Sequence, residues 1–120
     1  MIALQSLITL APFEEEIKNE LLAKVDTFDD GKKLELINMC WGLISQWYHN
    51  EIQHRYNLAL LEIAEGKKEY TQEEMEKIPD VVFTEFTHKL QEVEQEVATE
   101  EDLEEVREKL EDVTEKTQQQ

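Results

Sequence analysis

Between Asp29 and Gly66 the chain runs for 38 residues without a proline, and glycine interrupts it only at positions 31 and 42. Its apolar residues recur every three or four positions, which is the helical period. One stripe is Leu34, Ile37, Trp41, Ile44, Tyr48 and Ile52, continuing through Tyr56, Ala59 and Ile63. A second, on another side, is Leu36, Cys40, Leu43, Trp47, Leu58 and Leu61. A helix that is apolar on two sides is contacted on two sides. Asp29 offers an N-cap oxygen, and Gly66 suits the left-handed residue that follows a helix. The expectation is therefore a long central helix over about 29–65 against which the other elements pack. Gly42 weakens it by about 1 kcal/mol relative to alanine, and close approach of a neighbouring backbone is the simplest compensation.

The rest of the chain reads as shorter helices. A helix over about 12–25 has Pro12 in its first turn, Glu14, Glu15 and Glu16 near the positive end of its dipole, and an inward stripe of Phe13, Ile17, Leu21 and Val25, widened by Leu22. Thr71-Gln-Glu-Glu74 has the form of a capping box. Pro79 removes a donor and crowds the preceding turn, so a short turn at about 72–78 should lead into a helix over 80–97. Its stripe is Met75, Ile78, Val82, Phe86, Leu90 and Val93, ending at Val97. A second cap, Thr99-Glu-Glu-Asp102, implies a break at 98–99 and a last helix over about 100–116. That helix carries a narrow seam of Leu103, Val106, Leu110 and Val113. With 120 residues there is room for one core. The expected fold is all-α, a compact bundle of four to five helices around the central one. The expected organisation is a helical core over 1–98, beginning with an apolar segment over 1–11, then an acidic helix over 99–116 and a disordered tail over 117–120.

Charge narrows the classes of partner. The chain has 12 Lys and Arg against 29 Asp and Glu, a formal charge of −17. Residues 91–120 alone carry −9, against −6 for 1–66 and −2 for 67–90. Such a chain is repelled by phosphate backbones and anionic lipid, so direct nucleic-acid or membrane binding is not expected. Cys40 is the single cysteine, which rules out an internal disulfide or a thiolate zinc cluster within one chain and suits a reducing cytoplasm. The apolar start lacks the basic flank of a secretory signal, and no stretch approaches the roughly 20 apolar residues of a membrane span.

Two constellations could carry chemistry. Glu51-Ile-Gln-His54 and Glu85-Phe-Thr-His88 repeat the Glu-x-x-His spacing with which ferritin-like di-iron carboxylate bundles place a carboxylate and an imidazole on one helix face. With 23 glutamates in the chain, the coincidence arises on composition about one time in ten. Glu85 and His88 should face water at about 100° per residue, while Glu51 and His54 fall near Trp47 and Leu58, where they could hydrogen-bond each other. His49 reads as a surface histidine outside any metal motif, and Cys40, among Leu36, Leu43 and Ile44, as a buried, inert thiol. Neither a glycine-rich phosphate loop nor a nucleophile, base and acid set is visible. Trp41, Trp47, Tyr48 and Tyr56 read as core.

The sequence thus leads to a non-enzymatic interaction protein, an adaptor or assembly subunit with no cofactor, metal or small-molecule substrate. Its expected partner surface is Leu103, Val106, Leu110 and Val113, which meet a protein partner or a second copy. Two alternatives are an acidic mimic of nucleic acid that occupies a basic groove, and a di-iron protein using the Glu-x-x-His pairs.

Overall fold

The computed structural model describes residues 2–118, with side chains described as far as Leu110. Its helices are α1 (Leu4–Leu10), α2 (Glu15–Lys24), α3 (Asp30–Ala64), α4 (Gln72–Glu76), α5 (Ile78–Glu94) and α6 (Glu100–Gln118), with a single 3-10 turn at Val25–Thr27. No strand occurs among the described residues, and the fold is an all-α bundle built around α3. The molecule measures 55 × 34 × 28 Å. At about 1.5 Å per residue the 35-residue α3 spans nearly all of the long dimension.

Side-chain caps fix the starts of α3, α4 and α6. The Asp29 carboxylate accepts the Lys32 N–H at 2.8 Å, and Gly66 closes the other end of α3 in the left-handed conformation, φ 71°. Thr71 and Glu74 form both halves of a capping box, and Thr99 and Asp102 form a second: Asp102 N–H donates to Thr99 Oγ1 and Thr99 N–H to Asp102 Oδ2. As expected for Pro79, a short α4 ending at Glu76 is separated from the longer α5, which begins at Ile78. Pro79 itself sits in the first turn of α5, where its missing N–H costs nothing. α5 stops at Glu94 because Gln95 turns left-handed, φ 59°. The break therefore comes before 98–99, and Val97, expected on the buried stripe, lies in the connection and is 82% exposed.

The apolar start is a helix of its own. α1 turns only Gln5 and Thr9 outward, too short a pattern to show helical periodicity, and Ala3 provides no side-chain cap. Leu7, Ile8 and the adjoining Ile2 and Ala11 are each 3% exposed or less. They form one core with Cys40, Trp41 and Ile44 of α3 and Phe86 and Leu90 of α5. The segment before α1 is tied to α6 and α5, with Ile2 N–H donating to Glu105 and Ala3 N–H to Glu94.

α6 packs along α3 and completes this core, which corrects the reading of its seam as a free surface. Val106 is 0% and Leu110 2% exposed, joined to the core cluster. Arg107 of α6 lies over the Phe83 ring of α5, 5.1 Å from its centre. Leu103 is half-buried at the edge. The Val113 side chain lies outside the described residues, as do 119 and 120 of the expected tail, while α6 continues through Gln118. The seam is narrow, yet one chain buries its middle because α3 offers a second apolar side for it. Leu110→Ala should then cost about 2–5 kcal/mol by leaving a cavity, and Leu103→Ala should cost far less. Chemical unfolding followed by circular dichroism measures both, and equal losses would contradict this placement of α6.

Candidate functional site

The repeated Glu-x-x-His spacing resolves into an ion pair. Arg55, one turn beyond Glu51 on α3, donates from Nε to Glu51 Oε1 at 3.1 Å. Its two terminal nitrogens grip both oxygens of Glu85 on α5, Nη1 to Oε1 at 3.0 Å and Nη2 to Oε2. A bidentate pair of this kind fixes geometry as well as charge. The Arg55 hydrogen bonds hold the Glu85 carboxyl below its usual range, and Glu85 in turn raises the guanidinium. Glu51 thus pairs with Arg55 rather than with His54, which is exposed, as is His88. A cation stands where a metal would have to sit between the two carboxylates, and no three His, Cys, Asp or Glu come together among the described residues.

His49 is not a surface residue. It is half-buried, with Nε2 3.4 Å from the Leu110 carbonyl oxygen and its ring edge-on to Tyr48 at 5.3 Å. It thereby ties α3 to α6. Cys40 is fully buried, and burial pushes its thiol up to about 11, far from a nucleophilic thiolate at neutral pH. Of the aromatics, Trp41 is buried at 3% exposure. Trp47 is half-buried against Phe86, ring centres 6.2 Å apart, with the Lys89 ammonium 5.2 Å above it.

With Val106 and Leu110 turned inward, what α6 shows outward is acidic: Glu100, Glu101, Glu104 and Glu108 are exposed. Uncovered apolar side chains are found elsewhere. At the far end of α3, Leu58, Leu60, Leu61 and Ile63 are 44%, 55%, 53% and 42% exposed, and Val81 of α5 beside them is 47% exposed. A shallow groove here is lined by Arg55, Leu58, Ala59, Glu62, Tyr70 and Val81. The Tyr70 hydroxyl donates to Glu62 across its floor, at 3.1 Å. Both apolar stripes of α3 were legible in the sequence, but not that their last turns extend past the helices that cover them.

Comparison with known protein families, with curated proteins and with solved structures finds no match. No helix among the described residues is long and apolar enough to cross a membrane.

The seating of α6 depends on a buried carboxylate. Burial pushes Asp102 upward, but hydrogen bonds from Thr99 and nearby favourable charge outweigh it and hold the group below the usual aspartate range. A depressed folded-state value contributes stability that is present above the unfolded value, near 4, and is lost as pH falls through the folded one. Asp102→Ala should destabilise by about 0.5–2 kcal/mol at neutral pH, with the difference from the parent shrinking below about pH 4. Thermal melts of the two proteins across pH check this; a difference that persists unchanged to low pH would assign the loss to packing instead.

Proposed function

We propose that this chain is a non-enzymatic interaction protein of the cytoplasm, an adaptor or assembly subunit whose binding surface lies at the far end of α3. The observation that carries this reading is the run Leu58, Leu60, Leu61 and Ile63, each more than two fifths exposed, next to Val81. Scattered exposed leucines are ordinary, but four large apolar residues exposed within six positions at one helix end of a charged protein support an interaction surface there. The groups that might have carried catalysis are engaged otherwise. Cys40 is sealed in the core, and Glu51 and Glu85 are held by Arg55.

The expected seam at Leu103, Val106, Leu110 and Val113 gives way to this surface in the proposal, since its two central residues serve the core. Leu103 remains at the edge of an acidic groove with Glu100, Glu101, Glu104 and Arg107. That exposed carboxylate row favours a second reading, a mimic that presents acidic groups to a basic nucleic-acid-binding protein. Capture of such a protein would weaken steeply with salt.

The double variant Leu60→Ser, Leu61→Ser separates these. Both positions are exposed, so unfolding should stay within about 1 kcal/mol of the parent. Association, read as mass in solution and as partner recovered on the immobilised chain, should be lost. Retained association in this variant, with loss in Glu101→Gln, Glu104→Gln, would favour the mimic.

A further inference from the structure

We infer that α3 pairs with α3 of a second copy of this chain, antiparallel, about a two-fold axis near Asn50. This rests on the interaction reading above and specifies its partner and its surface.

Charge placement on α3 carries the inference. A third of the chain is charged, 34%. Yet between residues 36 and 64 only Glu51, Arg55 and Glu62 are Asp, Glu, Lys or Arg. Projected at about 100° per residue, those three fall within about 40° of one another. All three are engaged on that side, Arg55 with both Glu51 and Glu85 of α5, and Glu62 with Tyr70. Every one of the twelve exposed positions between 36 and 64 is free of these charges. Drawn at the chain's own composition, such a run arises roughly once in a hundred, and solvent-facing helix positions are ordinarily richer in charge than the average.

The uncharged face runs from Met39 through Gln46, Asn50, Gln53 and Asn57 to Leu61, about 33 Å along the helix. Met39 and Leu61 are 55% and 53% exposed at its two ends, each eleven residues from Asn50. An antiparallel pair centred on Asn50 therefore sets each end's apolar residue on the other's, and places side-chain amides, which both donate and accept, between them.

Charge complementarity selects the occupant. A basic partner would be met by carboxylates, which this chain has in excess everywhere else. A second copy carries the same −17, and the face on which two copies can meet is the one from which like charge is absent. The close backbone neighbour expected at Gly42 is not found among the described residues, where a Cβ would meet nothing within 4 Å.

Sedimentation equilibrium of the full chain tests the pairing. The expected mass is twice the 14.2 kDa of one chain. Raising salt from about 0.1 M to about 1 M should tighten association several-fold, because the screening length falls from about 10 Å to about 3 Å and the repulsion between the acidic bodies with it. Asn50→Glu sets like charges across the axis and should weaken pairing more than about tenfold, with helicity unchanged because the site is exposed. Asn50→Lys should do the same, and mixing the two variants should restore a heterodimer. A monomeric parent, or a dimer indifferent to both variants, overturns the inference. A monomer that still captures another protein through Leu60 and Leu61 would leave the interaction reading standing and remove only the second copy.

Discussion

A seven-residue helix with no side-chain cap has no stability of its own in water, since helix nucleation costs more than so few hydrogen bonds return. α1 exists because α3 and α5 enclose it, and the rest of the bundle is arranged by that enclosure. Ile2, Leu7, Ile8 and Ala11 provide the apolar centre on which α3 places Cys40, Trp41 and Ile44 and α5 places Phe86 and Leu90. α6 then completes the shell, with Val106 and Leu110 inward and Glu105 accepting the Ile2 amide. The acidic helix, which composition marks as an appendage, is in this way part of the fold.

The same arrangement explains why one end of α3 is bare. The core cluster takes its α3 residues from the span Leu36–Ile44, with Trp47 and Tyr48 packed at its margin. Further along, α5 reaches α3 mainly through the Arg55–Glu85 pair and at Ala59, which is 2% exposed. Beyond that the stripes continue without a cover of equal width, and Leu58, Leu60, Leu61 and Ile63 face outward around most of the helix. A helix apolar all round is found in the interior of a larger body. Its presence at the rim of this one is the physical ground for placing the interaction surface there.

Much of this architecture was legible in the residues. The period of the α3 stripes, the oxygen of Asp29, the Thr71 and Thr99 caps and the glycine at 66 each act locally, so each could be read without knowing what lies opposite. What could not be read depends on partners distant in sequence. α1 escaped because seven residues, with only Gln5 and Thr9 turned outward, are too few to show an amphipathic period. The α6 seam was taken for a free surface because its narrowness is visible in sequence and the apolar side of α3 that receives it is not. Glu-x-x-His was read against His54 and His88, whereas Arg55, one turn away, governs both glutamates. The charge-free run of α3 lies in plain view in the sequence, but it acquires meaning only once the exposed positions are known.

Taken together, the charges show a division of labour along one helix. Exposed carboxylates line the outer side of α6 as far as Glu108, while Val106 and Leu110 turn inward. Along α3 the few charges present are drawn to one side, where Arg55 bridges Glu51 and Glu85 and offsets one of the two carboxylates. Exposed pairs of this kind contribute little to stability, on the order of 0–1 kcal/mol, so their value lies in position: they join α5 to α3. Lys32 and Glu35 restore charges of both signs at one end of α3, and Glu65, Lys67 and Lys68 do so at the other. An antiparallel neighbour in the inferred register keeps amides and apolar groups between these charged ends. Strong net acidity and self-association are then compatible, because the repulsion is carried by surfaces that stay apart.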